Sequence, residues 1–498
     1  MRFGISAATL TLLGGAAAWN FEHENAREPV RIAGWHQQKP VSPLGTQFKV
    51  STPLANPLGG TLRFVENSGV CETTPGVFQA SGYADLNANQ SMWFWFFEAR
   101  NNPSTAPFSI WLNGGPGSSS MIGLFQAGTF TEHGPCRITN DSRSVTHNPN
   151  SWNEFSNILY IDQPVGVGYS HGTLAVTGSL AAAKAVYQLL QIFFNDATFS
   201  KYATDSFALW TESYGGHYGP AFAHYFEQQN ALIDAGQGNG LLKINLKTLG
   251  IGNGLTDPLS QYPAYVDFAL HNSYVQTVST SVVTRANNSL WSSNGCIAQI
   301  NKCASTLTNS ACSSAQNFCN NNVLSPLAGN RDVYDVRTTS DSYPPDITSF
   351  LRNTTVMRLI GAESTWQETN NQVYSNFQST GDWMKSSSPD LAAVVDSGIR
   401  VHVFAGDADF ICNAFGVEAM LKTLPSSLNA QFNAQAFSNW TVGGANAGLF
   451  KNAGTLSYTR VAQAGHEVPA YGTSQLAVGQ AALAMFEQVM KGLPISST

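Results

Sequence analysis

Charged side chains are scarce in this sequence. Asp, Glu, Lys and Arg make up 11% of its 498 residues, and the formal net charge is -7. With only 25 basic residues, the chain offers no basic face for nucleic acid or an anionic membrane, and neither is expected as a partner. None of the seven cysteines forms a Cys-x-x-Cys pair, so no zinc site is expected, and no other metal or cofactor. No Gly-Lys-Ser/Thr follows the glycine-rich stretches WLNGGPGSSS, QPVGVGYS and IGNGLTDP, which excludes a phosphate loop. No repeat with a period of about 20–50 residues is present. After the opening segment no apolar run is long enough to span a membrane, and the KGLPISST tail is too short for a lipid-anchor signal.

What is present is a large apolar fraction, 43%, enough for a sizeable core. The opening MRFGISAATLTLLGGAAAWN has one Arg, a short apolar run and a small-residue end, the layout of a secretory signal peptide at residues 1–18. The expected destination is therefore outside the cell, with an acidic vacuole-like compartment as the alternative. Asn-x-Ser/Thr acceptors at Asn89, Asn140, Asn287, Asn353 and Asn439 fit that route. So do the cysteines, since an oxidising compartment would pair six of the seven. Cys303 and Cys312 lie inside Cys296 and Cys319, a spacing open to nested bridges.

Residues 19–60 are Pro-rich and polar, as in an irregular arm or a pro-segment. Strand-like runs follow: FQASGYADL, SMWFWFFEA, PFSIWL, NILYID, FALW and LKTLGIG. Between NILYID and FALW, SLAAAKAVYQLLQIFF places Val186, Leu189, Leu190 and Phe193 at helical spacing. Strand, helix, strand is the unit from which parallel sheets are built. Residues 260–385 break the pattern; they are Asn/Ser-rich and hold four cysteines, as an inserted cap would. GIRVHVFAG and SYTRVAQA then resume the core, and a closing helix is expected from about Ser474 to Lys491. The organisation read is thus core at 61–259, cap at 260–385 and core again at 386–498.

TESYGG follows the FALW strand and precedes a helix-compatible run. A sharp strand-to-helix turn would lift the Ser213 hydroxyl clear of the sheet, the mechanics of a nucleophile elbow, although Thr211 replaces its first glycine. A nucleophilic serine needs a histidine base, and the base needs a carboxylate. His466, in AQAGHEVP, follows a strand on a glycine-flanked loop. His217 and His224 are too near the elbow, His271 falls at the cap boundary and His402 lies within a strand. The acid belongs in GDADFICN, where position alone leaves Asp407 and Asp409 both open. HEVPA fails the His-Glu-x-x-His zinc pattern because Ala470 stands at the last position. Consecutive glycines in WLNGGPGSSS suit an oxyanion hole.

Taken together, WLNGGPGSSS, TESYGGHYGP, GDADFICN and AGHEVP, supported by DQPVGVGYS and IGNGLTDP, resemble the secreted serine carboxypeptidases in order from about residue 60 to 490. The resemblance implies an α/β-hydrolase fold, with a central, mostly parallel sheet and a disulfide-containing cap, and release of C-terminal residues from peptides and proteins at acidic pH through an acyl-enzyme. It implies Ser213 as nucleophile, His466 as base and Asp409 as acid, with the N–H groups of Gly115 and Tyr214 as oxyanion donors. Trp111, Asn113, Gly114, Glu132 and Glu212 match the residues that grip the substrate's free carboxylate. It further implies the pairs Cys296–Cys319 and Cys303–Cys312 and a free thiol at Cys412, which leaves Cys71–Cys136. Many relatives carry cysteine where this chain has Ser118, so a bridge from that loop to the cap is missing and the rigidity of the loop is left open. An acyltransferase or esterase on the same fold is the alternative activity. Glu212 and Asn113 favour the peptidase, since an acyl-transfer site has no terminal carboxylate to bind. The oligomeric state is not legible.

Overall fold

The computed structural model describes residues 48–51, 56–125, 132–139, 142–340 and 347–498. The expected signal peptide, most of the expected arm and the Asn140 acceptor lie outside them. Fifteen strands are described: β1 Lys49–Ser51, β2 Thr61–Glu66, β3 Gln79–Asn87, β4 Gln90–Phe97, β5 Phe108–Leu112, β6 Cys136–Ile138, β7 Val145–His147, β8 Asn157–Ile161, β9 His171–Gly172, β10 Phe207–Glu212, β11 Leu246–Gly252, β12 Arg400–Gly406, β13 Ser438–Val442, β14 Ala445–Ala453 and β15 Leu456–Val461. All but β6 and β7 join one sheet, in the order β1-β2-β3-β4-β8-β5-β10-β11-β12-β15-β14-β13, with β9 paired to β4.

The six strands β8, β5, β10, β11, β12 and β15 run parallel, and the flanks on both sides are antiparallel. The parallel strands β5, β8 and β10 read FSIWL, NILYI and FALWTE and are buried throughout. Such continuous burial is expected of parallel strands covered on both faces. The crossover helix Ser179–Phe194 matches its predicted span, with Val186, Leu189, Leu190 and Phe193 buried. It carries the chain from β8 over β5 to β10. The helix Gly215–Asp234 then leads from β10 to β11.

Between β11 and β12 the described residues outside loops are helical, from Pro258–His271 to Ser388–Asp396. The expected disulfides Cys296–Cys319 and Cys303–Cys312 tie the helices Cys296–Thr306 and Asn309–Cys319 into a hairpin. These helices are polar and short, so covalent cross-links substitute for buried apolar area. Cys71–Cys136 is formed too, and Cys412 is a buried free thiol. Asn89, Asn353 and Asn439 are exposed, and Asn287 is half-buried.

The closing helix departs from expectation. It spans Gln480–Met490 and begins several residues later than Ser474. The Thr473 hydroxyl accepts from the N–H groups of Gln475 and Leu476, which folds that stretch into a turn. Gly479, with φ of +79°, then reorients the chain into the helix.

Candidate active site

In open α/β sheets the carboxyl ends of parallel strands carry the chemistry. Here β5 feeds the NGG loop, β8 feeds Asp162, β10 feeds Ser213, β11 feeds Asn253, β12 feeds Asp409 and β15 feeds His466. Six distant segments converge because six strands end at one edge.

Ser213 sits at φ +65°, a left-handed conformation that is strained for a residue with a side chain. The tight turn is held from both sides: the Ser213 N–H donates to Gly252 O (3.0 Å) and its carbonyl accepts from Leu255 N (3.0 Å). Thr211, which breaks the glycine pattern, is accommodated because its hydroxyl donates to Gly215 O at 2.9 Å. Where Gly114 stands, a Cβ would lie 2.3 Å from Tyr214 N, so the NGG loop is in backbone contact with the elbow. Among the described residues, the N–H groups of Gly115 and Tyr214 meet no acceptor.

His466 Nδ1 lies 2.8 Å from Asp409 Oδ2, both side chains being buried. Asn253 Nδ2 donates to the same oxygen at 2.7 Å, and the N–H groups of Ile411 and Cys412 donate to the two carboxylate oxygens at 2.9 and 3.2 Å. Asp407 is engaged elsewhere, accepting from Tyr274 Oη and Gln463 N. Burial alone would lower the His466 pKa. The charge and hydrogen bond of Asp409, with the charges of Glu467 and Asp332, lift it above its ordinary value.

Beside Ser213 in the chain, Glu212 opens a buried carboxyl cluster. Glu212, Glu132 and Glu467 are all buried. Burial first, then the charges of Glu132, Glu467 and Asp409, hold Glu212 well above the usual carboxylate range. Burial and the charge of Glu467 do the same to Glu132. Asn113 is fixed beside Glu212: its Oδ1 accepts from Trp111 Nε1 (2.7 Å) and Gly123 N (3.1 Å), so its amide N–H2 faces Glu212 Oε1 at 3.1 Å. Trp111 is fully buried, and its indole N–H holds Asn113. Among the described residues, Glu212, His466 and Glu467 bring possible ligand atoms within 4.8 Å of one another, the one such group compact enough for a metal ion.

A family model described as serine carboxypeptidase matches residues 70–492 of this chain. The chain belongs to the serine carboxypeptidase family. It is 46% identical over 439 residues to carboxypeptidase S1 of Penicillium janthinellum, covering 87% of this chain and 100% of that one. It is 38% identical over 413 residues to carboxypeptidase Y homolog A of Uncinocarpus reesii, covering 79% and 72%. Among solved structures it resembles Kex1(Δ)p, a prohormone-processing carboxypeptidase from Saccharomyces cerevisiae, with a TM-score of 0.68 at 23% identity, covering 91% and 97%; that likeness bears on the fold. The protein is a serine-type carboxypeptidase, an enzyme acting on peptides.

In this carboxypeptidase the loop lacking a cysteine is sewn to the insertion without one. Ser118 and Thr369 form an antiparallel bridge, flanked by Ser119 N to Glu368 O (2.8 Å) and Asn370 N to Gly117 O (2.9 Å). Below it, Asp162 accepts from Ser119 Oγ, Ser120 N and Tyr169 N, and Trp366 Nε1 from the insertion donates to Ser119 Oγ at 2.9 Å. Burial pushes the Asp162 carboxyl up to about 7 against the pull of these donors. Cys412 adjoins Asp409 through its backbone N–H, and burial followed by the charges of Asp409 and Glu212 pushes its thiol well up, so it stays protonated.

Two site residues escaped the sequence reading. Glu467 directly follows His466 in GHEVP, where it served only to test a zinc pattern. Asn253 lies in IGNGLTDP, read as family support without a role. The signal for Glu467 was its adjacency to His466; for Asn253 it was its place directly after the LKTLGIG strand.

Proposed function

We propose that the carboxypeptidase releases C-terminal residues through a Ser213–His466–Asp409 triad, and that its buried glutamates recognise the peptide's free end by carrying protons. Ser213 Oγ attacks the scissile carbonyl as His466 takes its proton. The oxyanion forms against the N–H groups of Gly115 and Tyr214, and His466 returns the proton to the departing amino acid. Water, activated by the same imidazole, then cleaves the acyl-enzyme. Asp409 holds the imidazole in the tautomer with its free nitrogen toward Ser213.

The observation that carries the reading is Glu212: adjacent to Ser213 in the chain, buried, held by Asn113, and kept protonated by burial and its carboxyl neighbours. An ionised glutamate would repel a peptide carboxylate; a protonated one donates to it. Glu132 shares the role, with Asn113 and Gly114 N–H as further donors and Trp111 holding Asn113 in place. Two titrations then bound the activity. His466 must lose its proton to act as base, and the carboxyl cluster must keep at least one. An acidic setting, outside the cell or in a vacuole-like compartment, suits that requirement. We further propose that residues 260–385 act as a cap over the core.

Ser213→Ala tests the triad. Release of the terminal residue from a blocked dipeptide is expected to fall by at least about a thousandfold with binding of the dipeptide retained. Turnover at the parent rate would reject it.

A further inference from the structure

His133 follows Glu132 in the chain and has no part in the chemistry described so far. It is fully buried in an aromatic slot, with its ring against Trp152 (4.2 Å, 23°) and Tyr160 (5.5 Å, 16°) and edge-on to Trp111 (4.1 Å, 65°). Its carbonyl accepts from Trp152 N (3.0 Å) and Ser151 Oγ (2.9 Å), which fixes the backbone as well. Nδ1 lies 2.9 Å from Tyr160 Oη, and Nε2 lies 3.6 Å from Glu132 Oε2. Hydrophobic side chains would fill such a slot at lower cost; an imidazole there leaves Nε2 without a hydrogen bond among the described residues.

We propose that His133, backed by Tyr160, is a positioning residue of the terminal-carboxylate site: its Nε2–H steadies one oxygen of Glu132, so that the other presents the carboxyl proton to the substrate. This rests on the reading of Glu132 given above. The assignment of the proton follows from counting donors. Burial holds His133 well below its ordinary pKa, so the ring is neutral and has one N–H. With that proton on Nδ1, the phenol proton of Tyr160 would have no acceptor among the described residues. With the phenol donating to Nδ1, the phenol proton has its acceptor and the ring proton sits on Nε2, whose described polar neighbour is Glu132 Oε2 at 3.6 Å, longer than a formed hydrogen bond and within electrostatic reach. Tyr160 thus selects the tautomer, as Asp409 does for His466.

The other charged or titratable groups around this pair are Glu467 and Glu212 beside Glu132, His466 next to those two, Asp409 beyond Glu212, and Arg100, which acts on Tyr160. A donor to the ionised form of Glu132 favours ionisation and offsets part of the repulsion from the two other glutamates. Its removal has a sign: Glu132 keeps its proton to higher pH, while its grip on the substrate is less well aimed.

The test compares kcat/KM against pH for a peptide acid and its C-terminal amide in the full-length parent, His133→Leu, His133→Gln and Tyr160→Phe. For His133→Leu, KM for the acid is expected to rise about tenfold at acid pH with kcat nearly unchanged, and the falling limb of the acid's profile to move to higher pH. The amide's profile stays in place. Gln, which donates from a similar reach, restores the limb, and Tyr160→Phe shifts it in the same direction by less, a measure that survives should the Leu variant fail to fold. Equal losses for acid and amide with an unmoved limb would overturn the inference and leave His133 a packing residue. Parallel acid and amide profiles in the parent itself would instead remove the Glu132 reading, and this inference with it.

Discussion

Asn253 donates to the oxygen of Asp409 that faces His466: the two contacts to Oδ2 measure 2.7 and 2.8 Å. Asn253 is itself held, since its Oδ1 accepts from Gly406 N at 3.0 Å, so the end of β11 aims the acid at the end of β12. Asn253→Ala is expected to lower kcat about tenfold or more with KM nearly unchanged, because a poorly oriented acid fails the transition state before it fails binding. Weaker contact with Asp409 also lets burial pull the His466 pKa down, so the rising limb of the pH profile moves to lower pH. A rise in KM at constant kcat would count against this role.

Ser118 and Thr369 face one another as a non-hydrogen-bonded antiparallel pair, since the flanking N–H groups bond across them, and their hydroxyl oxygens are 3.2 Å apart. Side chains approach closest at such pairs, within reach of a cystine. Ser118→Cys with Thr369→Cys is expected to form a disulfide in oxidising conditions and to stabilise the fold by about 2 kcal/mol. Melting temperature with and without reductant reads this directly, and activity on peptides should persist. Two free thiols by alkylation and mass measurement would show that the pair is not aligned.

How much of this was legible depended on range. The elbow at Ser213 is local, a strand, a turn and a helix within one run of residues, and the sequence carried it despite Thr211. The choice between Asp407 and Asp409 is not local, because both occupy one turn and their partners Tyr274, Asn253, and Gln463 with His466 come from three other segments. Family resemblance chose the right one of the two for contact with His466; spacing did not. Glu467 was passed over because its neighbours Glu212 and Glu132 are hundreds of positions away, and proximity of like charges leaves no periodic trace. The helices of the insertion were missed because their apolar positions are few and their disulfide bridges do what a buried stripe does elsewhere. The late start of the closing helix lay in Thr473 and Gly479, a turn signal inside an otherwise helical pattern.

Asp162 gives a stability prediction. Its folded pKa of about 7 exceeds the ordinary aspartate value, so folding takes up a proton between the two. Stability is therefore highest in acid and falls as pH rises through that window, by up to about 1.4 kcal/mol per pH unit for a whole proton. Asp162→Asn removes this dependence while keeping an acceptor for Ser119. Denaturant unfolding at acid and neutral pH should show the parent losing more stability than the variant; equal slopes would place the pH dependence elsewhere.

The claim that protonated glutamates read the chain end is tested most directly by kcat/KM against pH for a peptide acid and its C-terminal amide on the unaltered enzyme. Both substrates share the His466 limb, but only the acid needs a protonated Glu212 or Glu132. The account predicts that the acid's profile falls away at lower pH than the amide's, and that Glu212→Gln, which keeps a donor and loses the titration, brings the two together. Parallel profiles in the unaltered enzyme would contradict it.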